Sequence, residues 1–401
     1  MLKLPEWKRN LAVMWFAQLI GMGAITGVVS FLPLYIPHLG VSSLEETEMW
    51  SGILMGVASF FAAIANPYWG SIADQNGRKP MVERVMLMFG TVMICMSFVT
   101  NVYQLLALRI VQGIFGGFTA SALALVASVT PDEEIGFTMG IFQTAMIAGS
   151  AVGPMFGGLA ADHVGYRQTF IVFGVLCLTS LIIIHFAVSE HFTPVPQAAK
   201  PSVRHDIKQV LAIPGLKSML FVQFVIQFAI QIIAPVMPLY IQNMAPDSNY
   251  IASICGAIIA VAGITSALAS ASIGQLVKRF KNRNILVAAS AIGAFFFAAQ
   301  ALATSVTSLG ILRGLSGLCL GTMLPTSNTI ITYLIPSEKR GVAYGITTGA
   351  AQMGNVVGPL SGSAIALSSG IPAVFWCTAV LFALVSIWVC WRVNEPQISD
   401  P

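Results

Sequence analysis

Charge is what this sequence has least of. Lys, Arg, Asp and Glu make up 9% of its 401 residues, against about a quarter in an ordinary soluble protein. Twenty basic and 16 acidic residues cannot cover the exterior of a soluble chain of this length, and 56% of the residues are apolar. The solvent for most of the chain is therefore lipid. A net charge of +4, with its basic residues dispersed among apolar runs, excludes a nucleic-acid footprint. The six cysteines all lie inside apolar runs, where thiols pack as small hydrophobes, and no Cys/His group has metal-ligand spacing, so neither disulfides nor a metal is expected. No Gly-x-x-x-x-Gly-Lys-Ser/Thr loop is present, which removes ATP as an energy source. Paired intramembrane ligands and nucleophile–base pairs are missing too, so the chain is not read as an enzyme.

What is present is a series of long uncharged runs. A membrane helix needs about 20 mostly apolar residues, and stretches free of charge cover 10–44, 49–73, 85–108, 110–131, 135–161, 168–189, 218–246, 248–277, 284–312 and 314–337. A further run, 341–391, holds two spans around the turn signal Ser368-Ser369-Gly370-Ile371-Pro372. Divided at their turns, these runs predict twelve helices. Strands of a membrane barrel would alternate polar and apolar residues, and these runs do not. The first run is too long for a signal-peptide core and is expected to be retained.

Basic residues collect on the cytoplasmic side of a membrane. With both termini inside, all but Arg109, Arg167 and Arg313 of the 20 basic residues fall in cytoplasmic segments. The chain also repeats itself about 205 residues apart. Phe31-Leu32-Pro33-Leu34-Tyr35-Ile36 returns as Val236-Met237-Pro238-Leu239-Tyr240-Ile241, Arg109, Gly113 and Gly117 as Arg313, Gly317 and Gly321, and Gly149, Gly153 and Pro154 as Gly354, Gly358 and Pro359. Parallel helical repeats of this kind are typical of transporters that rock two bundles about a central site. The polar stretch 189–217 reads as a cytoplasmic linker between bundles at 1–188 and 218–401.

Gly70-Ser71-Ile72-Ala73-Asp74-Gln75-Asn76-Gly77-Arg78-Lys79-Pro80 occupies the turn between the second and third spans. Here the chain resembles the major facilitator superfamily, whose loop signature runs from a Gly through an Asp to Gly-Arg-Lys. The resemblance implies a conformational latch between the halves built on Gly70, Asp74, Gly77, Arg78 and Lys79. A plain solvated turn is the alternative. In the second half Lys278 stands where the Asp belongs, so the latch is expected on one side only. Arg109, followed by Gly113, resembles the arginine-bearing motif of the fourth span. Seven residues past a start at Val102 it lies about 10 Å deep, and a charge at such depth is costly enough to imply function. The family role is coupling or gating; snorkelling is the alternative. Gly149-Ser150-Ala151-Val152-Gly153-Pro154-Met155-Phe156-Gly157-Gly158 resembles the motif that marks the antiporter branch, with every fixed position matched. Phe31 to Gly40 resembles the first-span motif of bacterial drug:proton antiporters with twelve spans.

The family resemblance implies an all-α membrane protein of twelve helices in two pseudo-symmetric six-helix bundles, the major facilitator fold. It implies a monomer in the bacterial inner membrane that exports hydrophobic or amphipathic compounds by alternating access. Protons and lipids are its further partners, and the proton gradient, not a cofactor, drives it. A dedicated exporter of one metabolite, such as a siderophore, sugar or lipid precursor, is the alternative. One departure stands out: the centres of the spans hold no carboxylate, with Glu48, Glu83 and Asp162 near span ends. Substrate sites of such transporters lie near the midplane, and the mid-span polar or adaptable residues are Met22, Thr26, Gln143, Met146, Gln227, Gln231, Asn328, Gln352 and Asn355.

Overall fold

The computed structural model describes residues 5–190, 209–335 and 340–393; the side chains of Ser71, Asp74, Gln75, Asp132 and residues 340–342 are outside the described set. Most of the expected linker, 189–217, also lies outside it. Among the described residues all regular structure is helical, as backbone groups in lipid require. The main helices are α1 (Glu6–Val29), α2 (Leu44–Asn76), α3 (Lys79–Ser97), α4a (Val102–Ile114), α4b (Phe118–Ser128), α5 (Ile135–Val164), α6 (Tyr166–Ala187), α7 (Leu216–Gln231), α8 (Ile251–Val277), α9 (Asn282–Ala301), α10 (Val306–Leu334), α11 (Arg340–Ser369) and α12 (Ile371–Arg392). Counting α4a and α4b together, ten of them are long and apolar enough to cross a membrane. The other two expected spans are α7, a shorter apolar helix, and α11, which carries no charge after Arg340.

Local chemistry sets the helix ends. Ser43 caps α2 by accepting the Glu46 amide at 3.1 Å, Asn101 caps α4a through the Gln104 amide at 3.0 Å, and Ser305 and Ser308 form a capping box at α10. The helices carry apolar side chains on both faces. In α6, Thr169, Gly174 and Ser180 are buried together with Phe170, Phe173 and Ile184, while Val175, Ile182 and Phe186 are exposed, Phe186 at 82%. Large apolar side chains thus meet lipid as well as the interior, and small or polar residues lie on the packed side.

Two expectations are corrected and one is refined. The stretch 102–128 is one candidate span, as expected, but its helix is interrupted at Phe115–Gly117, where Gly117 adopts φ +93°. The loop signature, expected as a turn, is helical through Asn76; the turn is only Gly77-Arg78, with Gly77 at φ +94°. The first span, expected to run on to Gly40, ends at Val29, and the short helices Leu32–Tyr35 and Ile36–Leu39 follow. Its repeat mate behaves alike, since α7 ends at Gln231 and a short helix, Met237–Met244, follows.

The sequence duplication is a duplication of packing. Helix α1 packs on α5 and α3 on α6; one repeat later, α7 packs on α11 and α9 on α12. The α1–α5 contact is a seam of bare backbone. Gly149 faces Leu19 and Met22, Gly153 faces Gly23, and Gly157 faces Gly27, three successive turns of α5 on one face. In the second half Gly354 and Gly358 lie against Phe228 and Gln231 of α7, and Gly362 against Ile232 just past its end. Two compact units result. The first comprises 1–196 with 241–260, the second 197–240 with 261–401. Residues 241–260, which the sequence division assigns to the second bundle, thus pack with the first unit, and α8 is shared at Ala260.

Gly157→Ala would push a methyl group into the Gly27 backbone. The overpacking is expected to cost about 1–3 kcal/mol, read as a lower unfolding midpoint of the purified protein in detergent. Gly140→Ala on the same helix, where the added carbon meets nothing within 4 Å, should not lower it.

Candidate functional site

At one end of the first unit the loop signature is tied to the end of α6. Glu190, just past α6, accepts the Arg78 amide at 2.9 and 3.0 Å and the Lys79 amide at 2.7 Å, so its carboxylate occupies the free N–H groups at the start of α3. The Lys79 ammonium returns the contact, donating to the His185 and Val188 carbonyls at 2.8 and 2.7 Å, where α6 leaves its own groups unpaired. The two helix ends therefore cap each other with opposite charges, each complementing the dipole it meets. Arg78 Nη1 donates to the Ala124 carbonyl at 3.2 Å, which joins α4b to the same corner. Gly70 lies on α2 with open space at its Cα, and the Asp74 side chain lies outside the described set.

Arg109 sits on α4a at 8% exposure. Its Nη1 donates to Gln112 Oε1 at 2.9 Å, its Nε has no partner, and among the described residues it forms no ion pair. Gly113, one turn on, lies against the Ala58 backbone and Phe61 of α2. Just beyond comes the break, whose loosened carbonyls need donors. Trp69 Nε1 donates to the Ile114 carbonyl at 2.7 Å, and Arg84 Nη2 to the Gly116 carbonyl at 3.3 Å. The Arg84 guanidinium lies 3.4 Å from the Trp69 ring centroid, so cation and ring also hold each other. Trp69 immediately precedes Gly70. The loop signature and the Arg109 helix are thus joined through one tryptophan.

The antiporter-type segment does two things. Its Gly149, Gly153 and Gly157 form the α1 seam described above, which Thr26 bridges by donating to the Met22 and Gly149 carbonyls at 2.8 and 3.3 Å. Gly158 points elsewhere, onto the backbone of Ala252 and Ser253 at the start of α8, and Gly256 of α8 lies against the Pro154 carbonyl. Pro154 is inside α5, where it leaves one helical hydrogen bond unmade.

The residues expected to line a cavity divide between the units. In the first, Met22 and Thr26 are drawn into the glycine seam, Gln143 is exposed and Met146 half-buried. In the second, amides pair among themselves: Gln223 donates to Asn328 at 2.7 Å, Gln227 to Asn355 at 2.9 Å, and Asn355 to Gln352 at 2.5 Å. Gln231 lies beside Gly358, one turn further along α7.

Sequence reasoning missed Glu190, Trp69, Arg84 and the break itself. A Gly116-Gly117 pair inside a span is a legible warning of a break. Nothing local distinguishes Glu190 as a cap, because its partners are 111 and 112 residues away.

Comparison with known proteins agrees with this geometry. The model of the Major Facilitator Superfamily matches residues 14–299 and 219–400. Proteins named multidrug resistance protein MdtG are 36% identical in Serratia proteamaculans, over 99% of this chain and 97% of theirs, and 35% identical in Yersinia enterocolitica, over 98% and 95%. Among solved structures, a bacterial homologue of the human lysosomal transporter Spinster superposes with TM-score 0.82 at 14% identity, covering 98% of both chains. A D-xylose–proton symporter gives 0.75 at 15%, covering 96% of this chain and 97% of its own. With two glycine-seamed helical repeats and a family match from end to end, the chain belongs to the Major Facilitator Superfamily.

Proposed function

We propose that this protein is a multidrug efflux transporter, not an enzyme, that exports hydrophobic and amphipathic compounds by alternating access in exchange for protons. The observation that carries the reading is full-length similarity to proteins named for multidrug resistance. The placement of Arg109 supports the coupling role: a buried cation without an ion pair among the described residues is held beside a braced helix break. Such a charge is expensive in a membrane and is kept where it works. The paired amides of α7, α10 and α11 offer neutral hydrogen-bonding groups that suit ligands of varied shape.

In this reading the two bundles, 1–188 and 218–401, are joined by the linker 189–217. The monomer lies in the bacterial inner membrane with both termini in the cytoplasm, where the bias of basic residues puts them. Lipid surrounds it and no cofactor takes part. The corner formed by Lys79, Glu190 and the end of α6 is the cytoplasmic seat of the latch.

Two tests follow. Purified protein in proteoliposomes should move an amphipathic dye faster under an imposed pH gradient, and equal rates with and without the gradient would overturn proton antiport. Arg109→Gln should slow gradient-driven turnover by about tenfold or more, the equivalent of about 1.4 kcal/mol, with the protein still inserted; wild-type turnover would remove Arg109 from coupling. At the latch corner, Glu190→Ala should lower the unfolding midpoint through the lost α3 cap, a cost of about 0.5–2 kcal/mol.

A further inference from the structure

Asp162, in the last turn of α5, lies outside the motif residues that the family resemblance marks. Its carboxylate accepts the Ser253 amide at 2.6 Å and the Ala252 amide at 3.3 Å. These are first-turn N–H groups of α8, which have no partner within their own helix. A carboxylate at a helix N-terminus makes charge-assisted bonds and meets the positive end of the dipole. Among the described residues the rest of the contact is packing, with the His163 and Tyr250 rings 5.8 Å apart beside it. Gly158 meets Ala252 and Ser253, and Gly256 meets Pro154, backbone on backbone. Such small-residue seams hold only by close packing and are reversible in a membrane.

Two further observations bear on this contact. Helix α8 is shared between the units: Ile251–Ala260 packs with the first, and the remainder with the second. A cavity of about 270 Å³ adjoins the carboxylate, lined among others by His38, Tyr166, Gln242, Ser248 and Asn249, so polar groups and water can reach the bonds and replace them. A clamp that is specific, charge-assisted and accessible to water is one that can open and re-form.

We infer that Asp162 is the positioning residue of a detachable clamp, which holds Ile251–Ala260 on α5 and must release for this end of the molecule to open. In the orientation proposed above, this is the extracellular end. The inference rests on the transport reading for its purpose, while the clamp itself is a statement about the contact. Releasing it separates Gly256 from Pro154 and exposes the residue next to Gly256, Cys255, whose side chain is fully buried.

Cys255 makes the test direct. In a variant that keeps Cys255 and replaces Cys95, Cys177, Cys319, Cys377 and Cys390 with serine or alanine, a membrane-impermeant maleimide is added from outside. Asp162→Ala should speed its reaction with Cys255 by at least about tenfold, because two charge-assisted bonds are lost. Asp162→Asn, which keeps one carbonyl acceptor, should fall between. Ser253→Pro removes the donor from the other side of the 2.6 Å bond, at a first-turn position where proline is tolerated, and should act like Asp162→Ala. It also serves if the alanine variant does not fold. Unchanged labelling in both Asp162→Asn and Ser253→Pro would overturn the clamp. Labelling reads opening without substrate, so the two failures are separable. A wrong clamp leaves dye export gradient-driven and labelling flat; a wrong transport reading abolishes dye export but leaves labelling dependent on Asp162.

Discussion

In lipid no water is at hand to satisfy a backbone amide, and no hydrophobic effect draws one helix to another. The whole structure depends on how that constraint is met. Each segment is helical because only a helix pairs its own backbone, and helices approach most closely where small residues let their backbones nearly touch. The glycines at 149, 153 and 157 therefore do the work that a leucine core does in a soluble bundle. The same contact recurs at 354, 358 and 362. Two units with one packing plan follow from one duplicated pattern of small residues.

The exceptions to regular helix show what meeting the constraint requires. Where α4 breaks, the Ile114 and Gly116 carbonyls would be orphaned in a low-dielectric interior, and the chain supplies an indole N–H and a guanidinium for them. Where α3 begins and α6 ends, Glu190 and Lys79 exchange charged caps. Where α8 begins, Asp162 provides the acceptors. Glu190, Lys79, Arg84 and Asp162 are thus spent at interruptions of the backbone ladder. This assigns concrete contacts to a scarcity of charge that otherwise only marks the solvent as lipid. It also ties the loop signature to the Arg109 helix, because Trp69 adjoins Gly70 and holds the carbonyl next to the break.

The spans, the duplication and the family were legible because each is written in local or strictly periodic terms. Uncharged run lengths follow from bilayer thickness, and Gly149-x-x-x-Gly153-Pro154-x-x-Gly157-Gly158 is a spacing on one helix. Even the division of labour inside that motif is half visible: 149, 153 and 157 share a face by helical arithmetic. That Gly158 faces α8 instead of α1 is not, since it depends on which helix lies on the other side. The amides of the second half were legible as polar positions inside spans, but their pairing of Gln227 with Asn355 and Gln223 with Asn328 spans more than a hundred residues.

Sequence by itself determined that the chain is helical, membrane-spanning and internally repeated, because composition, run length and period record the solvent and the fold class, and its motifs carried the resemblance to a transporter superfamily. The partners of the charged residues were decided only in the tertiary structure. Glu190 with α3, Arg84 with Gly116 and Asp162 with α8 are contacts between helix ends and breaks far apart in the chain. No local rule announces them, because the groups they satisfy are backbone amides and carbonyls, which every residue carries alike.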